Sequence, residues 1–128
     1  MVKHSEQKSF KTILIVEDDR SVRRLLGQMM EPKGYLCVLI KNVTELRQAC
    51  TKHAPAAVVC DVRLPDGDGV EACVEVHERW PSLPIVLISG DILGVEAAQR
   101  AGFKGVLLKP FGVEEFLSTL ERELRGGQ

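Results

Sequence analysis

Four polar clusters carry the chemistry available to this chain, and each follows a short apolar run. Glu17-Asp18-Asp19 comes after Ile13–Val16, Asp61 after Ala57–Cys60, Ser89 after Ile85–Ile88, and Lys109 after Val106–Leu108. Gathered in one place, the carboxylates of Glu17, Asp18 and Asp61 would repel one another unless a cation sat among them. Such an all-oxygen set suits a hard divalent ion such as Mg²⁺. An aspartate oxygen left over from that set is a nucleophile. Phosphoryl transfer calls for these parts: a nucleophile in line with the leaving group, with cations and hydrogen-bond donors where charge spreads over the equatorial oxygens.

The clusters can meet only if the elements between them bring them together. An apolar run of about four residues bounded by turn formers reads as a strand buried on both faces, the habit of parallel sheets covered by helices. All four clusters then stand at the carboxyl ends of strands, where open parallel sheets bind ligands. Tyr35–Ile40 is a further strand, second in chain order. Between the strands the spacing turns helical. Arg20 or Ser21 opens a helix with Val22, Leu25, Leu26, Met29 and Met30 on one face, stopped by Pro32 and Gly34. Asn42, with Glu45 three residues on, caps a helix whose stripe is Val43, Leu46 and Cys50. Leu64–Gly69 is dense in turn formers, and Val70, Cys73, Val74 and His77 mark a third helix ending before Pro81. Ile92–Ala101 carries Gly94 and a thin stripe of Val95 and Ala98, which predicts the least firmly packed helix of the set. Val113, Phe116, Leu117, Leu120 and Leu124 predict a final helix. Strands alternating with helices imply right-handed crossovers and three layers.

Together the motifs resemble the response-regulator receiver domains of two-component signalling: I-L-I-V-E-D-D at 13–19, D-V-R-L-P-D-G-D-G at 61–69, L-I-S-G at 87–90 and L-K-P-F at 108–111. The resemblance covers roughly residues 10–125 and implies a flavodoxin-like α/β three-layer sandwich. Its five-stranded parallel sheet would have the order 2-1-3-4-5, with five helices and the site where the first and third strands part. On this reading 1–10 is a polar tail, 11–125 the domain and 126–128 a frayed end.

The same resemblance assigns roles. Asp61 becomes the phosphoacceptor, attacking the phosphorus of a phosphohistidine to form an aspartyl phosphate. Asp18 holds Mg²⁺ directly and Glu17 through water, and the backbone carbonyl of Arg63 completes the protein ligands, so the Arg63 side chain has no required part. Asp19 is a solvated neighbour or a cap for the first helix. Lys109 reaches a phosphoryl oxygen, aimed by a cis bond to Pro110, and the Ser89 hydroxyl bonds the phosphoryl group beside an accessible Gly90 amide. Pro65 and Gly69 match the family's loop spacing. Many receivers carry an aromatic residue three before the lysine, and here Val106 has no ring to swing and a stiff first torsion. The signal is therefore expected to leave through the loop after Ser89 and the Ile92–Ala101 helix. The implied partners are a histidine kinase or histidine phosphotransfer protein, and a downstream protein on the face of the fourth helix, fifth strand and fifth helix. The chain would be catalytic only in assisting its own phosphorylation and dephosphorylation. It could be a single-domain regulator, a relay, or part of a hybrid kinase or longer regulator.

Composition agrees. The 128 residues suit one domain, and 45% hydrophobic residues with a net charge of −1 lack the basic excess of a nucleic-acid binder. No apolar stretch approaches a membrane span and Met1–Phe10 has no apolar signal core, so a cytoplasmic location without membrane contact is expected. Cys37, Cys50, Cys60 and Cys73 form no C-x-x-C pair and read as buried free thiols; His4, His53 and His77 read as tail, partly buried or surface residues. Two rival functions fit less well. A flavodoxin-like cofactor carrier would need Ser, Thr and Gly where Glu17-Asp18-Asp19 would repel phosphate. A phosphohydrolase with an aspartate nucleophile would need a second acid close by, but Val62 and Arg63 follow Asp61.

Overall fold

The computed structural model describes residues 11–126, so the 1–10 tail and residues 127–128 lie outside it. In chain order the elements are β1 (Lys11–Val16), α1 (Arg20–Met30), a 3₁₀ turn (Glu31–Lys33), β2 (Tyr35–Ile40), α2 (Val43–His53), β3 (Ala57–Asp61), β4 (Arg63–Leu64), β5 (Gly67–Asp68), α3 (Gly69–Arg79), β6 (Ile85–Ser89), α4 (Ile92–Arg100), β7 (Val106–Leu108) and α5 (Val113–Gly126). The main sheet is parallel with order β2-β1-β3-β6-β7, while β4 and β5 form a small antiparallel ladder in the loop after β3. Counting the main strands alone, this is the expected 2-1-3-4-5.

Period-two alternation explains the three layers. Ile13, Ile15, Val59, Val86 and Ile88 point to the side of α1 and α5, where they meet Leu26, Met30, Phe116 and Leu120. Leu14, Val16, Val58, Cys60 and Leu87 point to the other side, against Leu46, Cys73, Val76 and Ala98. Burying each large aliphatic side chain stabilises the fold by about 1.5–3 kcal/mol, and the central strands bury both faces. β2 is an edge strand, with Leu36 and Leu39 exposed.

Four helices begin on a side-chain acceptor. Asp19 Oδ1 accepts from the Val22 amide at 3.1 Å, Asn42 Oδ1 from Glu45 at 2.9 Å, Asp68 Oδ1 from Val70 at 2.7 Å and Asp91 Oδ1 from Gly94 at 2.8 Å. Asp19 is thus the cap of α1. Glu45 Oε1 accepts from the Lys41 amide at 3.2 Å, a close variant of the expected capping box.

In places the helices bury narrower faces than their periodicity predicts. Leu25 is 51% exposed, because α1 buries only Leu26, Gly27 and Met30 against the sheet. On α3 the inward positions are Val70, Ala72, Cys73 and Val76, and His77 is exposed, its ring edge against Phe103. Val113 is also exposed, and α5 continues through Gly126. α4 buries only Gly94 and Ala98, the thin packing its sequence predicts. All four cysteines are free, three buried and Cys37 half-buried. Among the described residues no helix is long and apolar enough to cross a membrane.

Candidate functional site

The site assembles from strand ends. β1 and β3 are adjacent, with Val16 opposite Cys60, so the next residues, Glu17 and Asp61, stand side by side. Both are buried. Gly69 permits this crowding: a Cβ there would lie 2.0 Å from the Asp61 carbonyl oxygen, so only glycine lets α3 start this close to the end of β3. Lys109 follows β7, two strands away, and its amide donates to the Ser89 carbonyl at 2.8 Å. From there its Nζ reaches Asp61 Oδ2 at 2.7 Å and Glu17 Oε1 at 3.1 Å. The Lys109–Pro110 bond is cis, as expected.

The electrostatics follow from this crowding. Burial, and then the neighbouring Asp61 carboxylate, push Glu17 up to about 7 from an ordinary 4.5, against the pull of the Asp19 amide and of Lys109. Burial alone would lower Lys109, but its bonds to Asp61 and Glu17 outweigh that and raise it. The other Asp61 oxygen, Oδ1, accepts from the Arg63 amide at 2.8 Å, so the carboxylate is held at both ends.

The remaining expected residues lie around this centre. Asp18 is exposed at the rim, and its carbonyl and that of Glu17 accept from the Arg23 guanidinium at 3.2 and 2.7 Å. Ser89 is buried but does not bond Asp61. Its hydroxyl donates to the Asp91 carbonyl at 2.7 Å and accepts from the Asp91 amide at 3.1 Å. Arg63 has more than a backbone: its guanidinium forms an ion pair with Asp91 across the mouth of the site. Asp66 accepts from the Val43 and Thr44 amides at 2.8 and 3.2 Å, tying the loop after β3 to the start of α2.

Asp91, Arg23 and Asp66 were missed from sequence. Asp91 had a legible signal, an acidic residue just before the first helical position, which is a cap. Arg23 and Asp66 act through backbone groups whose positions only the fold supplies.

The donors fit Mg²⁺ in kind. All are oxygens, and the two buried carboxylates already share one cation, the Lys109 ammonium. Among the described residues no three acidic, histidine or cysteine side chains converge into a closed cage, so backbone oxygen and water would complete any shell. A concavity of about 660 Å³ near Cys50, Ala56, Trp80 and Pro84 opens beside the starts of β3 and β6, the opposite end of the sheet, with Arg79 its one charged residue. The mutually bonded Glu17, Asp61 and Lys109 lie instead at the acidic cluster, the candidate site.

A family model described as the response regulator receiver domain matches residues 13–121. The chain belongs to that family. Among solved structures, this receiver is similar to a putative response regulator from Chloroflexus aurantiacus J-10-fl, with TM-score 0.86 and 32% identity over 91% of this chain and 99% of that one. It is also similar to the beryllofluoride-activated NtrC4 receiver domain dimer, with TM-score 0.84 and 29% identity over 93% of this chain and 100% of that one. Among curated relatives, MprA from Mycobacterium sp. (strain KMS) is 34% identical over 88% of this chain, and the transcriptional regulator NtrC from Proteus hauseri is 28% identical over 88%. The receiver spans 50% of the length of MprA and 24% of that of NtrC. Receivers of this family act in two-component systems with histidine kinases and effector domains, and generally bind Mg²⁺ at their acidic pocket.

Proposed function

We propose that this receiver is a phosphoacceptor switch that takes a phosphoryl group onto Asp61 from a histidine kinase or histidine phosphotransfer protein and changes its affinity for a downstream protein. The observation that carries this reading is the bridge from Lys109 Nζ to Asp61 at 2.7 Å and Glu17 at 3.1 Å, which puts a cation from a distant strand on a buried carboxylate. An Asp61 carboxylate oxygen attacks phosphorus, the phosphorus–nitrogen bond of the donor breaks, and its electron pair stays on the departing imidazole. Lys109 follows the charge from the carboxylate to a phosphoryl oxygen. The Ser89 hydroxyl turns from Asp91 to another. Asp18, Asp61, the Arg63 carbonyl and, through water, Glu17 would hold Mg²⁺, which when bound neutralises charge on the phosphoryl oxygens.

Water attack on the aspartyl phosphate resets the switch, so the domain assists its own dephosphorylation and is no enzyme for external substrates. Ile92 and Leu93 of α4, Leu108 of β7 and Val113 of α5 are exposed, which supports that face as the output surface. The near-neutral charge supports a protein partner over direct nucleic-acid contact, and a phosphoryl donor of the histidine-kinase kind implies work in the cytoplasm. The test is labelling with acetyl phosphate. A base-labile acyl phosphate should form on Asp61 only with Mg²⁺. Labelling that survives Asp61→Asn or chelation would overturn the assignment.

A further inference from the structure

Asp91 does several jobs at once. Its Oδ1 caps α4 through the Gly94 amide at 2.8 Å, and Oδ2 takes the Arg63 guanidinium. Those two donors, the amide first, hold its carboxyl below the ordinary range. Its backbone amide and carbonyl close on the Ser89 hydroxyl at 3.1 and 2.7 Å. The far wall of this cage is Gly94, where a Cβ would stand 2.1 Å from Ser89 Oγ. Ser89 is therefore parked facing the start of α4, and everything that parks it is fixed by Asp91 or needs Gly94 bare. The side-chain link from Asp91 to the phosphoacceptor loop is Arg63, whose amide holds Asp61 Oδ1 while its side chain holds Asp91.

We propose that Arg63 and Asp91 are positioning residues forming a latch, which keeps Ser89 turned from Asp61 and α4 capped until a phosphoryl group arrives. The Arg63 guanidinium then exchanges the Asp91 carboxylate for phosphoryl oxygens. The inference rests on Asp61 being the phosphoacceptor. Arg63 is free to make the exchange, since its side chain is 71% exposed and anchored only at its tip. A guanidinium fork binds a phosphoryl dianion at least as well as a carboxylate. Once Arg63 leaves, the Asp91 loop loses its tie across the site, and α4, with only Gly94 and Ala98 buried, has little packing to resist a shift. This route to α4 needs no ring at Val106. An exposed ion pair is weak, so the latch tilts the population by roughly two- to fivefold and does not lock it.

Amide hydrogen exchange at Gly94 and through α4 in Arg63→Gln, Asp91→Asn and the double variant tests the latch without any phosphoryl group. Asparagine still caps a helix, so Asp91→Asn removes the charge and keeps the cap acceptor. Each single variant should speed exchange roughly two- to fivefold, the double variant no more than either, and Arg63→Lys should restore part of the protection. Unchanged exchange in Arg63→Gln, or additive effects in the double variant, would overturn the latch. A second arm adds beryllofluoride as a phosphoryl mimic. Exchange at Gly94 should rise in the wild type and change less in Arg63→Gln. Equal responses in the two proteins would overturn the exchange of partners. Loss of acetyl phosphate labelling selectivity in Asp61→Asn would instead fault the phosphoacceptor reading, and the first arm does not depend on it.

Discussion

The carboxyl of Glu17 gives the acidic cluster a measurable pH dependence. Its pKa is raised from 4.5 to about 7 in the folded protein, first by burial and then by Asp61. A group that holds its proton more tightly when folded stabilises the fold fully below its unfolded value, and that contribution is lost as pH rises through the folded one. The window is therefore pH 4.5 to about 7. At about 1.36 kcal/mol per pH unit, the rise corresponds to about 3 kcal/mol, or about 10 °C in melting temperature for a domain of this size. Metal-free protein should lose that stability between pH 5 and pH 8. Glu17→Gln supplies the reference, because glutamine resembles the protonated acid and cannot ionise. Urea unfolding with metal chelated should show the two proteins nearly matched at pH 5, with the variant up to about 3 kcal/mol more stable at pH 8. Asp66 and Asp91, both lowered, act in the opposite direction but only in the acid range. Curves that stay parallel from pH 5 to pH 8 would refute the reasoning, since the Glu17 proton would then contribute nothing.

Three further outcomes are expected. Asp18 is exposed, so Asp18→Asn should leave metal-free stability within about 0.5 kcal/mol while abolishing most of the melting-temperature rise that Mg²⁺ gives, checked by thermal melts with and without the ion. Gly69→Ala drives a methyl into the Asp61 carbonyl and should cost about 1–3 kcal/mol in urea unfolding, with slower acetyl phosphate labelling because the end of β3 must move. Phe116→Ala should cost about 3–5 kcal/mol, since Phe116 is wholly buried where α5 meets the sheet.

Most of the frame could be read from the chain because its cues are local. β1, β3 and β6 are short apolar runs between turn formers, and a strand buried on both faces needs no knowledge of its neighbours to be recognised. Asn42 with Glu45 fixed the start of α2 for the same reason. Leu25 and Val113 were misplaced because the width of a helix's buried stripe depends on how closely the next element approaches, which periodicity does not record. At the site, Asp61 beside Glu17 follows from adjacent strands, and Lys109 came through the family likeness. The Arg63–Asp91 pair stayed hidden. Its partners sit in two different loops that meet only because β3 and β6 are neighbours, and neither loop carries a pattern that names the other.

The open edge at β2 bears on handling the protein at high concentration. A six-residue strand with one side unpaired among the described residues is a template onto which a stray chain can add. Two features blunt it here. Lys33 and Lys41 bracket the strand with like charges, which oppose edge-to-edge pairing of copies. Its two exposed leucines also fall on opposite faces, Leu36 with Val38 and Ile40 toward α2 and Leu39 with Cys37 toward α1, so no continuous greasy ribbon is presented. Replacing either lysine with an uncharged residue is the change most apt to turn this edge into a seed for precipitation.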